Sequence, residues 1–369
     1  MKRQLYLPLL LTLLASLVFG VLPIGSGVAY ASPAAPVYRT FSENFGEGIS
    51  ILVDKPSGTV DGDLLVAGMT TDDGTTLTPP VGWTLINQGS SGAKVTSGSW
   101  WKVASSEPAN YTFQVSVSQP IYIFILRIDG QHATTPIDVS VFGFDDSTTP
   151  TCPSVTANVD ECLILRLFGA DDNDITIDDG YPTAHTGITV NQSADGNGQC
   201  SGGAAYTTQA LAGATGTASF TLTAAEEWYA TTIAIKPPPP PDISNTPTSY
   251  GFGTVAESST TPTGLTHFTV TNNSAYAVNI TISGTDMTGG TTWTLSNDGS
   301  AGNMIYGLNA GLEGGSYNVI VNTAGGNTLV SGLAGGGGTQ KWGLQLLAPT
   351  TMSDGASKSG TVTLTAAAA

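Results

Sequence analysis

The densest run of groups able to do chemistry is Asp171, Asp172, Asn173 and Asp174, followed closely by Asp178, Asp179 and Gly180. Five carboxylates in nine residues repel one another unless they are solvated or bridged by a hard cation, and calcium takes six to eight oxygens from such groups. The spacing is not that of an EF-hand loop: Ile175 stands at a ligand position, the sixth place lacks glycine, and no glutamate closes the run. Two readings stand, a calcium site built from Asp171, Asp172, Asp174, Asp178 and Asp179, or a solvated acidic loop between strands. Glu226 and Glu227, just before Trp228 and Tyr229, form the other acid pair. Adjacent strand residues point to opposite faces, so this pair is not expected to act on one substrate. Carboxylates about 5 to 10 Å apart serve glycoside hydrolysis, but no spacing brings a second acid opposite either group, and no catalytic residue is assigned.

Aromatic and sulfur groups give two further leads. Trp100 and Trp101 are consecutive, so in a strand one faces the core and the other faces out. With Trp83 they are candidate ligand-binding residues, able to stack on a sugar or a protein partner; a covering loop is the alternative. Cys152 and Cys162 flank a turn-like Ala157-Asn158-Val159-Asp160 and are candidates for a disulfide, with Cys200 left over. Cys162 also reads as a buried hydrophobe opening an apolar strand. His132, His185 and His267 lack zinc-ligand spacing, no G-x-S-x-G elbow is present, and the glycines at 335–338 lack the ending of a phosphate loop.

The elements that must position these groups are strands. Only 11% of the 369 residues are charged, and 46 are glycine and 21 proline. Ordinary chains are about 25% charged and about 7% glycine, so long exposed helices are disfavoured. Tyr111, Phe113, Val115 and Val117 alternate with polar residues, as do Ala218, Phe220 and Leu222, which fits strands with one wet face. Ile121 to Ile128 and Leu163 to Phe168 are nearly continuous apolar runs, which suits central strands covered on both faces. Pro237 to Pro241 form a stiff spacer of roughly 15 Å. Beyond it, segments around Phe268, Val278, Tyr317, Trp342 and Val362 alternate again, giving seven or eight strands without cysteine. The expectation is all-β: a jelly-roll-like two-sheet sandwich over 32–236, the linker 237–241, and an immunoglobulin-like sandwich over 242–369.

The N-terminus reads as a secretory signal peptide over 1–31: Lys2 and Arg3, an apolar run from Leu5 to Ile24, and a small-x-small cut after Ala31. Nothing later is long and apolar enough for a membrane-spanning helix. The product is expected to be secreted, at the cell surface or free. The formal charge of −17 becomes −19 once Lys2 and Arg3 are removed. Residues 32–236 hold 22 acids and 7 bases, while 237–369 hold 6 and 2. This acidity argues against nucleic acid as a partner.

Pro247 to Val255 (with Tyr250, Phe252 and Gly253), Phe268 to Asn273 and Val278 to Ile282 resemble the immunoglobulin-like repeats of bacterial surface proteins, of the ASPM/SPD-2/Hydin and choice-of-anchor type. Trp293-Thr294-Leu295 and Trp342-Gly343-Leu344 look like the paired elements of cell-wall-binding WxL domains, or like core-facing strand residues. Gly62 to Ala67, Pro80 to Thr84, Trp101 to Ala104, Glu107 to Tyr111 and Trp228 to Ile235 are similar to an uncharacterised β-sandwich module of secreted bacterial and phage-associated proteins. These resemblances imply fold and location rather than a reaction. The expected function is ligand binding or adhesion toward a glycan, envelope or protein partner, with calcium as the one candidate cofactor. The alternatives are an extracellular carbohydrate-active enzyme using the acidic loop, and a subunit of a surface layer or filament.

Overall fold

The computed structural model describes residues 23–30, 33–193 and 198–369, the first of these as backbone. The apolar run up to residue 22 and the expected cut after Ala31 lie outside the described residues. Every regular element among the described residues is a strand. The chain divides into a unit spanning Pro33–Pro239 and a second unit comprising Pro240–Ala369 and the first strand, β1 (Pro23–Tyr30).

The first unit is a jelly-roll-like two-sheet sandwich. One sheet runs β2 (Val37–Asp54), β7 (Asn110–Asp129), β3 (Leu64–Asp72), β6 (Val95–Val103), β5 (Thr84–Ser91), with β4 (Leu77–Thr78) added to β7. The other runs β12 (Thr186–Gln192), β13 (Cys200–Gln209), β11 (Cys162–Asp171), β16 (Glu226–Ile235), β8 (Ile137–Ser147). Both are antiparallel. Period-two alternation sends Leu64, Val66, Tyr122, Phe124, Leu126 and Ile128 inward against Leu163, Leu165, Leu167 and Ile233 of the facing sheet.

The outer faces are dry as well, which is why the second half of β7 and β11 read as nearly continuous apolar runs. The far half of β2, the near half of β7, β4 and Trp83 fold over the first sheet, burying Ile51, Val53, Leu65, Met69, Trp100 and Phe113. Over the second sheet lie two short ribbons, β9 (Thr151–Cys152) with β15 (Ala218–Ser219) and β10 (Thr156–Ala157) with β14 (Gly213–Ala214). Polar side chains hold these covers down. Arg166, 1% exposed in the middle of β11, donates to the carbonyls of Pro153, Thr215 and Gly216 and to Thr232 Oγ1. Glu43 on β2 accepts hydrogen bonds from Tyr122, Thr189 and Asn191, tying the edge of one sheet to the edge of the other.

The second unit is an immunoglobulin-like sandwich. One sheet runs β18 (Ser249–Gly251), β1, β27 (Gly360–Ala368), β21 (Val278–Gly284), β25 (Asn327–Leu333). The other runs β17 (Ile243–Thr246), β20 (Phe268–Asn272), β26 (Gly338–Leu347), β23 (Ile305–Leu312), β22 (Thr294–Leu295), with β19 (Thr260–Pro262) on β26 and β24 (Val319–Ile320) on β23. Its core gathers Phe268, Ile280, Trp293, Leu295, Trp342, Leu344 and Leu364. The tryptophans and leucines of both Trp-x-Leu segments that resemble cell-wall-binding elements are thus interior, and Trp342 Nε1 donates to Asn245 Oδ1 at 2.9 Å. β1 falls within the 1–31 segment expected from sequence to be a removable leader, yet it pairs with β27 in parallel from Ile24 to Tyr30 and with β18 antiparallel from Pro23 to Gly25.

Candidate functional site

The register of β11 against β16 builds the most chemically loaded place in the first unit. Ala170 pairs with Trp228, so the next step along the antiparallel ladder sets Asp171, the last residue of β11, beside the glutamates that open β16. One carboxylate oxygen each from Asp171, Glu226 and Glu227 lie within 4.8 Å of one another. Gly169 lets the facing sheet approach here: a Cβ at that position would collide with Ser97 Oγ and Thr70 Oγ1 of the other sheet. The nearest cation is Lys94, whose Nζ stands 3.8 Å from Asp171 Oδ2 while remaining mostly exposed.

The charge economy of the cluster is unfavourable. Burial, with the negative charges of Asp72 and Asp172, pushes the Asp171 carboxyl up to about 7, with Lys94 opposing. Glu226 is also pushed up to about 7, first by burial, then by its hydrogen bond with Asp174 and the charges of Asp172, Asp174 and Asp171. Asp72 is raised too, chiefly by burial. Several acids crowded at one rim favour a proton or a cation over full ionisation.

This placement corrects the sequence reading of the acidic run. Of the five aspartates, only Asp171 belongs to the three-residue group. Asp174 stands next to that group, hydrogen-bonded to Glu226, and its Oδ1 accepts from the Thr223 hydroxyl at 3.1 Å. Asp179 Oδ1 accepts from the backbone N–H of Gly180, capping its own turn. Asp172 and Asp178 sit at left-handed backbone positions on the surface. Conversely, Glu226 and Glu227, expected to diverge, converge on Asp171, because their long side chains start from the first two residues of β16 at the rim of the sheet.

The tryptophans do not form an exposed platform. Trp83 and Trp100 are buried in the outer layer of the first sheet, each 5.6 to 5.8 Å by ring centroid from Phe113. Trp101, half-buried, turns the other way onto the inter-sheet core. The two rings do alternate between faces, but both faces are covered, so Trp100 is buried and Trp101 is half-buried against the inter-sheet core. Trp100 pairs with Ala67 and Asp72 with Val95, so the acids and the tryptophans occupy different levels of the β3–β6 ladder.

The expected Cys152–Cys162 bridge is also absent: both residues and Cys200 are free and buried. Cys152 pairs across to Ala218 and sits among Phe168, Phe220 and Trp228, whereas Cys162 lies with Val155, Ala157 and Ile164. Ala157 leaves the turn to pair with Gly213, so no hairpin carries the two thiols together. Burial raises their pKa values to about 12 and about 11.

Sequence reasoning passed over Arg166 and its neighbour. Arg166 Nε–H donates to His185 Nε2 at 3.3 Å, and His185 Nδ1 meets the Thr183 carbonyl at 2.9 Å. The visible signal was one arginine within an otherwise apolar strand. No protein-family model, curated protein or solved structure matches the chain. No helix among the described residues is long and apolar enough to cross a membrane.

Proposed function

We propose that this chain is an exported, non-catalytic binding protein, and that its first sandwich holds a divalent cation, calcium by its hard oxygen donors, at the Asp171, Glu226 and Glu227 rim. The observation that carries this reading is the convergence of three carboxylates from two strands, with two of them held near neutrality. A divalent cation supplies the charge that Lys94 alone does not. The leader-like N-terminus, two β units and polyproline spacer support export and display, and the partner class is a glycan or another envelope component.

The test has two parts. Thermal melts at pH 8 in 2 mM calcium and in chelator should differ, with the higher midpoint in calcium, and Glu227→Gln should abolish the difference. Identical melts would remove the cation from the proposal. Glycan-array and envelope pull-down assays with the same protein then read the partner, and binding to neither would leave a structural role.

A carbohydrate-active reading is favoured by one observation: carboxyls at about 7 are suited to donating a proton near neutral pH. Release of reducing sugar from polysaccharide mixtures, lost in Asp171→Asn, would support it over binding alone.

A further inference from the structure

We propose that leader removal stops upstream of Pro23, by scission after Gly20, and that residues 23–30 remain in the exported protein as a permanent strand of its second unit. The proposal rests on the export reading above and goes beyond it by fixing where the chain is processed.

The first ground is the sheet itself. β1 lies between β18 and β27, and its parallel register with β27 covers Ile24 to Tyr30 against Gly360 to Ala366. On its other side Pro23, Ile24 and Gly25 face Gly251, Tyr250 and Ser249. Among the described residues β18 has no other strand partner in this sheet, so cutting after Ala31 would strip β18 of its ladder and leave β27 paired only with β21, its other edge open along most of its length. Exposed edges of this kind invite pairing with other chains. Phe252, which follows β18 directly, is buried in the core of the same unit, so β18 is anchored where only β1 links it to β27.

The second ground is the leader's own length. Signal peptides carry an apolar region of about 7 to 15 residues. Leu5 to Ile24 is 20 residues, too long for that class, whereas Leu5 to Phe19 is 15 and ends at the small residue Gly20. Ala29-Tyr30-Ala31 has the better small-x-small form, but using it removes all of β1. After Tyr30 the chain reads Ala31-Ser32-Pro33-Ala34-Ala35-Pro36. Two prolines there suit a connector into β2 and would make a poor replacement strand.

The step is hydrolysis of the Gly20–Val21 peptide bond by the export machinery's leader peptidase. One water is consumed, Gly20 takes the new carboxylate and Val21 the new amine.

The full chain, tagged at its C-terminus, should be expressed in an exporting bacterial host and the exported protein analysed by intact mass and N-terminal sequencing. The expected first residue is Val21. A first residue of Ser32 overturns the proposal while leaving export intact; an exported chain still beginning at Met1, or no export, overturns the export reading beneath it. Chains made to begin at Val21 and at Ser32 provide the second readout, hydrogen exchange. Alternate amides between Thr361 and Ala366 should exchange at least tenfold faster in the shorter chain. Should that chain fail to fold, Val28→Pro in the longer one provides the comparison, with the same loss expected. Equal protection in every chain that folds overturns the strand assignment.

Discussion

Asp171 and Glu226 bring negative charge to a rim already faced by Asp72, Asp172 and Asp174, and the sign of the resulting pH dependence follows from their raised values. Both carboxyls titrate near 4 in an unfolded chain and about 7 in the folded one, so the folded state binds more protons between those limits. Their contribution is complete below about pH 4 and is lost as pH rises through about 7. Melting midpoints should therefore fall between pH 5 and pH 8, and Asp171→Asn should flatten that slope. The stabilisation by calcium should be largest at pH 8 and vanish near pH 5, where protons occupy the same oxygens. A calcium effect independent of pH would contradict this account.

His185 has the opposite sign. Burial and the Arg166 charge lower its pKa, because its Nε2 must stay unprotonated to accept from Arg166. Its contribution is intact above about 6.5, the unfolded value, and is lost as pH falls below that. Arg166→Met should cost about 1–3 kcal/mol, since the Thr215 carbonyl would lose its donor while those of Pro153 and Gly216 would keep only the hydroxyls of Thr232 and Thr215. Urea denaturation measures it, and a cost below about 1 kcal/mol would show that water replaces the guanidinium.

Among elements, β11 decides most of what the first unit can do. Gly169 lets it sit close to Thr70 and Ser97, and its register delivers Asp171 to Glu226 and Glu227. Gly169→Val should force the sheets apart, cost about 1–3 kcal/mol as overpacking does, and weaken the calcium response together with stability. An unchanged calcium response in a destabilised variant would separate the cluster from the sheet spacing. The same strand shows what was legible in advance. Its apolar run announced a central strand, and the acids after it announced a charged end. Glu226 and Glu227 lie some 55 residues further on, and only cross-strand register reveals that they reach Asp171. The alternation of Trp100 and Trp101 was legible, but the cover supplied by β4, Trp83 and the far half of β2 was not, because nothing local in those segments says what they fold over. β1 was hidden for a different reason: the small and apolar residues of this short strand are also the types expected at the end of a signal sequence.

At the scale of the whole molecule, the two units differ in the charge they must hold compact. Residues 32–236 carry a net −15, while 237–369 carry −4, and Pro23 to Tyr30 add none. Repulsion of this kind opposes the compact state and is screened by salt, over about 10 Å at 0.1 M ionic strength. The second unit is held by Trp293, Trp342 and their neighbours, with buried Lys358 donating to Asp354 and to the Gly289 carbonyl. It has little long-range repulsion to relieve. Calorimetry in chelator should resolve two transitions, and only one should move with salt. Between about 0.02 and 0.5 M NaCl the first unit's midpoint should rise by a few degrees, and the second's by less than half as much. On the calcium proposal, adding calcium should move the first unit's transition alone and so identify it independently, because the carboxylate rim belongs to that unit. Equal salt shifts in both transitions would mean that charge is not what distinguishes the two sandwiches, and the acidity of the first would then have to be explained by the solvation of its loops.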